Sequence, residues 1–187
     1  AAVDLAAFGD VDVTVRLEGT GAAAGERAGI VSGNFFDVLG VRPIHGRTFT
    51  GRDDLPPLGT AVAVLGESYW ARRFNRDPGV VGRSIELNRR PFTVIGVVPA
   101  SFRGVDPPGG APFVREVWLP LWTLPLGAPG NRHLVGRTTG WGMQAVGRLH
   151  PGVSLDQAKA QIGAAAATLD REFPGTRRAR TPWISPI

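Results

Sequence analysis

The sequence contains no cysteine. Disulfide frameworks, thiolate metal sites and cysteine nucleophiles are therefore excluded. The absence does not fix a compartment, because many bacterial extracytoplasmic domains carry no disulfide. Lysine is nearly absent too: Lys159 is the one lysine among 21 basic residues, so the formal charge of +5 is carried by arginine. No run of about 18 apolar residues occurs, the length needed for a helix to cross a bilayer. No charged-then-apolar leader opens the chain, and no Gly-Lys pair exists to build a P-loop. The chain starts Ala1-Ala2-Val3 without Met and stops at Pro186-Ile187, so a segment of a longer protein is expected.

What is present is an ordinary globular composition. The 187 residues, 43% of them hydrophobic, suit one domain or two small lobes with a folded core. With 26 Gly and 16 Pro, many turns and short elements are expected rather than a helical bundle. The pairs Arg72-Arg73 and Arg89-Arg90 and the tail Arg177-Arg178-Ala179-Arg180 could meet phosphate or an anionic membrane surface. No aromatic-interleaved basic motif or helix-turn-helix pattern accompanies them, so no nucleic-acid partner is expected.

Apolar and polar residues alternate over Val11–Leu17, which predicts a strand with one buried face. Glu26–Val31 is its hairpin partner across the small-residue loop Gly19–Gly25. Ser32–Gly40 reads as a short helix, capped by Ser32 and ended by a left-handed Gly40. Gly46–Gly59 is a polar connection and the candidate boundary between two lobes. Thr60–Leu65 predicts a buried strand, and Glu67–Phe74 a helix with Trp70 and Phe74 on one face. Ser84–Asn88 and Phe92–Val98 form a hairpin around Asn88-Arg89-Arg90-Pro91. Val117–Leu121 reads as an edge strand because of Pro120, and Trp141–Leu149 as a further strand. Ser154-Leu155-Asp156-Gln157 is a capping box opening the one long helix. Its apolar face, Leu155, Ala158, Ile162, Ala165, Leu169 and Phe173, suits packing on a sheet, and Pro174-Gly175 ends it. The order of elements gives an α+β fold.

No constellation carries chemistry. Gly19–Gly25 superficially resembles a dinucleotide fingerprint, but a strand follows it where a helix is needed, so the pyrophosphate has no dipole to meet. His45, His133 and His150 lie in or beside loops, none four residues from another, and three solvated histidines are expected. Asp53-Asp54 could bind a cation or act as paired acids. Leu55-Pro56-Pro57 adds no side-chain oxygen, so exposed turn residues are expected instead. Trp70 and Trp141 are read as core, whereas Trp118 and Trp122 flank a Pro-rich edge and suit a partner surface. No catalytic, cofactor-binding or metal-ligating residue is assigned, and no cofactor is expected.

One long stretch is more specific. Val31-Ser32-Gly33-Asn34-Phe35-Phe36-Asp37-Val38-Leu39-Gly40-Val41-Arg42-Pro43, then Gly46-Arg47-Thr48-Phe49 and Asp53-Asp54, resembles the opening of the MacB-type periplasmic core domain. Ala61–Leu65, Trp70, Arg73-Phe74, Asp77-Pro78, Val81-Gly82-Arg83, Leu87-Asn88 and Pro91–Val97 with Pro99 continue it in order. Val117–Leu121 and Gly147–Ser154 extend it into the alanine-rich helix. The resemblance covers about Val11 to Pro174.

It implies an extracytoplasmic, periplasmic-side domain of an ABC-transporter permease, anchored by flanking transmembrane helices to the bacterial inner membrane. A porter-like α/β lobe would comprise about 1–58 and 141–187, and a β-rich inserted lobe about 59–140. ATP would be hydrolysed on a separate cytoplasmic domain or subunit. This segment would catalyse nothing, transmit conformational change, and contact cargo or an extracytoplasmic adaptor. The full-length permease would be dimeric and the isolated domain monomeric. On this reading Pro43 and Asp53-Asp54 are folding and lobe-junction features. The competing readings are a free-standing binding module for a peptide, lipid or sugar near Trp118 and Trp122, and a hydrolase that sets a histidine against Ser, Asp or Glu in a cleft.

Overall fold

A computed structural model describes residues 2–17, 23–56, 59–106, 114–123 and 143–172. The strands are β1 (Val3–Leu17), β2 (Ala23–Val31), β3 (His45–Gly46), β4 (Val62–Gly66), β5 (Ser84–Leu87), β6 (Arg90–Val98), β7 (Val117–Pro120) and β8 (Gln144–Leu149). The helices are α1 (Phe35–Leu39), α2 (Glu67–Phe74) and α3 (Leu155–Glu172). All eight strands belong to one sheet, and the α+β class is as the sequence implies.

Six of the strands close on themselves. β1 pairs β2, β2 pairs β7, β7 pairs β4, β4 pairs β6, β6 pairs β5, and β5 returns to β1. A ring this small has no lumen, so side chains fill it. Alternate residues of each strand point inward: Val13 and Val15, Ala28 and Ile30, Val117 and Leu119, Ala63 and Leu65, Ile85 and Leu87, and Phe92 and Val94. Helix α2 follows β4 directly from Gly66 and adds Tyr69 and Trp70 to the same core. A register shift opposite Ala63/Val64 leaves Ile95 as the extra residue of β6. The inward-facing positions of β6 consequently jump from Val94 to Val97, while Ile95 and Val98 face outward.

A second core lies outside the ring. Ala6 and Phe8 of β1, Phe35, Phe36 and Val38 around α1, Phe49, Trp118 and Val146 of β8 meet there. Strand β1 serves both cores. Its first half pairs β8, and its even residues Ala6 and Phe8 enter the α1 core. Its second half pairs β5, and its odd residues from Val11 to Leu17 enter the barrel.

Local sequence explains several boundaries. Gly40 ends α1 at φ 70°, as a left-handed cap should. Asn34 rather than Ser32 stands at the helix start, and the Ser32 hydroxyl is used elsewhere: it accepts from Ala7 N at 2.9 Å and donates to Asn34 Oδ1 at 2.7 Å. The capping box of α3 forms as expected, with Ser154 N donating to Gln157 Oε1 and Gln157 N to Ser154 Oγ. The helix does not bury the face its spacing suggests. Ala158 is its one buried residue among those described, and Leu169 is 44% exposed. Phe173 lies outside the described residues.

Two strand expectations change. β7 is not an edge strand, because it sits between β2 and β4. Pro120 is compatible with this position because β4 pairs only with Val117 and Trp118, short of the proline. The ladders β1–β5 and β2–β7 also cross the expected lobe boundary at residue 59. Residues 11–31 thus hydrogen-bond into the same ring as residues 62–120.

The β5–β6 hairpin turns on Asn88-Arg89, both at positive φ, 48° and 66°. That geometry favours Asn-Gly. Asn88 is also held: its Oδ1 accepts from Thr14 N at 2.7 Å, and its N donates to Thr14 O at 2.9 Å. Arg89→Gly is expected to raise stability by about 0.5–1 kcal/mol, since a side chain in left-handed backbone costs more than glycine loses in chain entropy. A lower midpoint in urea would show that the Arg89 side chain contributes more than its backbone costs.

Candidate functional site

Among the described residues, those singled out by sequence do not converge on one cleft. The His45 ring lies against Trp70, tilted at 60° with ring centroids 5.4 Å apart. His150 Nε2 lies 3.0 Å from Asp4 Oδ1 in an exposed pair. Solvation is thus only part of the story for these two, and His133 lies outside the described residues. Trp118 is fully buried against Phe36 and Phe102, with centroids at 6.0 and 5.5 Å. It is core and offers no surface for a ligand. Trp122 is half-buried, while Trp141 and Trp183 are outside the described residues. Of the arginine pairs, Arg72 is committed to Glu116 and Arg73 lies over the Tyr69 ring at 5.8 Å. Among the described residues no group of three or more His, Asp or Glu side chains is arranged to hold a metal.

What the geometry does build is a set of junctions. Asp53 is only 5% exposed, against the expectation of a solvated turn. Its carboxylate accepts from Arg47 Nη1 and Nη2 at 2.7 and 2.9 Å, from Thr50 N at 2.8 Å and from Thr50 Oγ1 at 2.9 Å. Asp54 reaches the other way. Its Oδ2 accepts from Gly33 N at 3.0 Å and its Oδ1 from Trp122 N at 2.8 Å. One side chain therefore joins the β2–α1 turn, 21 residues before it, to the turn after β7, 68 residues beyond it. The motif was legible in the sequence; the partners were not, because they are backbone amides far away.

The two carboxylates respond oppositely to these surroundings. The Arg47 guanidinium holds Asp53 below its ordinary value. Burial pushes Asp54 up, only partly offset by the Trp122 and Gly33 amides. A lowered folded-state value stabilises above the ordinary carboxylate range, and that stability is lost as pH falls through the folded value. A raised value does the reverse: ionised Asp54 opposes folding at neutral pH, and the opposition is relieved as pH falls towards the ordinary range. In wild-type protein the urea midpoint should therefore gain from Asp54 just above that range and lose from Asp53 below it. Asp54→Asn should remove the gain and leave the acid loss. Curves for wild type and Asp54→Asn that run parallel through the upper window would refute the assignment.

Arg115 makes the third junction. It is 3% exposed. Its Nε and Nη2 donate to the two oxygens of Asp10 at 2.6 and 3.1 Å, and its Nη1 donates to Asp106 Oδ1 at 3.0 Å. Asp10 lies where β1 passes from one core to the other. Two glycines make room: a Cβ on Gly104 would lie 2.8 Å from Arg115 Nη1, and one on Gly29 would lie 2.8 Å from Trp118 Cδ1. Nothing in the sequence marks Arg115 among so many arginines.

The family model that matches this arrangement is the MacB-like periplasmic core domain, over residues 2–165. The chain belongs to this family. As a MacB-like periplasmic core domain it is an extracytoplasmic part of an ABC-transporter permease of the inner membrane. Solved structures agree in fold. The periplasmic region of MacB from Actinobacillus actinomycetemcomitans is similar at TM-score 0.63 and 19% identity, over 88% of this chain and 66% of that one. The extracellular domain of YknZ, a noncanonic ABC-type transporter from Gram-positive bacteria, gives 0.62 and 19%, over 90% and 74%. A domain of a putative permease protein from Porphyromonas gingivalis gives 0.57 and 19%, over 90% and 63%. The chain thus spans about two thirds of the MacB region it matches. No curated protein matches the sequence.

Proposed function

We propose that this MacB-like periplasmic core domain is a mechanical coupler. It transmits conformational change between the transmembrane helices of its permease and contacts made outside the membrane, and catalyses no reaction itself. The observation that carries this reading is the continuity of β1. Fifteen residues run as one strand through both cores, a span of roughly 50 Å at strand rise. The first half of β1, with α1, β8 and α3, forms the porter-like part beside the chain ends. The barrel forms the outer part. Interlocked strand and barrel move as a body, so displacement at one end reaches the other.

The partners on this reading are the flanking transmembrane helices, a cytoplasmic ATPase domain or subunit, and an adaptor or cargo met outside the membrane. The working permease is a pair, and the isolated domain a monomer. The burial of Trp118 takes away one of the two tryptophans that favoured a free-standing ligand-binding module.

The test interrupts β1 between its two cores in the full-length permease. Two glycines inserted between Gly9 and Asp10 should leave ATP hydrolysis running while transport falls at least tenfold. Transport at the wild-type rate with the insertion in place would overturn the coupling role. A gene with no membrane-spanning segments flanking these residues would overturn the permease setting.

A further inference from the structure

Asp4 of β1 and Arg148 of β8 stand directly opposite each other in the sheet. Residues opposed in this way share a face, and opposite charges there normally pair. These two do not. Arg148 Nε donates to Val38 O at 2.6 Å, at the end of α1, where a cation is favoured. Asp4 Oδ1 lies instead 3.0 Å from His150 Nε2. A second carboxylate, Asp37 of α1, has no partner for its side chain among the described residues. All three charged groups line one cleft of about 330 Å³ between the start of β1, α1 and β8.

Two ties hold these charges apart. Asn34 Nδ2 donates to Leu5 O at 2.9 Å and fixes the entrance of α1 on β1. Arg148 fixes its exit on β8. With Nε committed to a carbonyl, Nη1 and Nη2 of Arg148 have no acceptor among the described residues. A Cβ on Gly40 would lie 3.4 Å from Nη2, so the residue beside that fork has no side chain to cover it. Two parallel donors at the end of a guanidinium fit two oxygens of a carboxylate or phosphate. The carboxylates of Asp4 and Asp37 accept only and suit an ammonium group. Val3, Leu5 and Val38 border the rest of the cleft and add no charge.

We propose that this cleft binds a small zwitterion, an ammonium group a few bonds from a carboxylate or phosphate. Arg148 holds the anionic end, and Asp37 with Asp4 the ammonium. A ligand of one sign is selected against, because an anion alone meets two carboxylates and a cation alone meets the guanidinium. The volume is at the lower end for ligand pockets, which suits a free α-amino acid or an ethanolamine phosphate headgroup. The inference goes beyond the coupling role and does not depend on it.

Equilibrium dialysis of the purified full-length protein at low salt tests this, with labelled L-alanine in one arm and labelled glycerophosphoethanolamine in the other. Saturable binding is expected in at least one arm, and the tighter ligand tells amino acid from lipid headgroup. Alaninamide and N-acetylalanine, each lacking one charge, should compete about tenfold less well than alanine. Asp37→Asn removes an exposed charge that pairs with nothing described, so the fold is kept, and binding should weaken about tenfold. Arg148→Lys keeps the charge without the fork and should abolish the preference for alanine over alaninamide. Asp156→Asn on α3, whose side chain is 94% exposed, should bind as wild type does. Absence of saturable binding in both arms would overturn the proposal. So would alaninamide or N-acetylalanine competing as well as alanine, or wild-type affinity in Asp37→Asn.

Discussion

Arg115→Ala should lower the unfolding free energy by about 3 kcal/mol, the lower end of the cost of stripping one partner from a buried ion pair. For a chain of this size that is a fall in Tm of roughly 6–12 °C. The guanidinium is almost completely buried, with side-chain exposure of 3%, whereas Asp10 and Asp106 keep 21% and 34%. Water reaches the carboxylates, so the charges left behind are partly solvated, and the lower figure is the right one. The bidentate geometry on Asp10 adds directional hydrogen bonds that lysine cannot reproduce. Arg115→Lys should therefore recover less than half of the loss. Arg115→Met combined with Asp10→Asn should be less damaging than the two single changes added together, because each single change leaves its partner unmatched. Additive effects, or a loss below about 1 kcal/mol for Arg115→Ala, would show that the pair is screened and that β1 is held at Asp10 by packing alone.

Local punctuation was read well from the sequence. Glu67–Phe74, the Asn88-Arg89 turn, the Gly40 cap and the Ser154–Gln157 box all depend on neighbours within a few residues. The first half of β1 was not read, because Val3-Asp4-Leu5-Ala6-Ala7-Phe8 has apolar residues on both faces and no two-residue period to detect. β7 was misplaced for a related reason. Pro120 argues against a central strand only if its missing N–H is needed, and β4 pairs short of it. Trp118 was left open to a partner surface because a Pro-rich flank suggests an edge, yet Gly29 and Phe102 make its pocket from distant parts of the chain.

The junction side chains divide in the same way. Asp53-Asp54 stood out as a motif, and the order of family motifs around it identified the fold. Its chemistry was legible only once Arg47, Thr50, Gly33 and Trp122 were seen to meet it. Asp10 and Arg115 are 105 residues apart, and no pattern in one sequence connects them. The family resemblance supplied the setting outside the membrane. It gave no account of how the barrel closes, because closure is a property of strand pairing and not of motif order.

Gly96→Ala should cost about 3 kcal/mol, the upper end of overpacking effects. β3 lies across β6 with Gly46 paired to Gly96. A Cβ on Gly96 would fall 2.1 Å from Arg47 O, and one on Gly46 would fall 2.2 Å from Ile95 O. Both obstacles are backbone atoms, so no rotamer change relieves them. Gly46 is moreover at φ 63°, where any side chain is strained. The added methyl must push the Arg47 backbone away from β6. That displacement travels, because the Arg47 side chain supplies two of the hydrogen bonds that hold the buried Asp53 carboxylate. Gly96→Ala should accordingly weaken the acid-labile stability that Asp53 contributes, as well as the midpoint at neutral pH, and should speed amide exchange at Arg47 N, which donates to Ile95 O at 2.9 Å. Gly51→Ala is the control. A Cβ there meets nothing within 4 Å, and that exchange should alter stability by less than about 1 kcal/mol. If Gly96→Ala is as benign as Gly51→Ala, β3 does not lie against β6 in solution, and Asp53 must be held by Thr50 and its own turn instead.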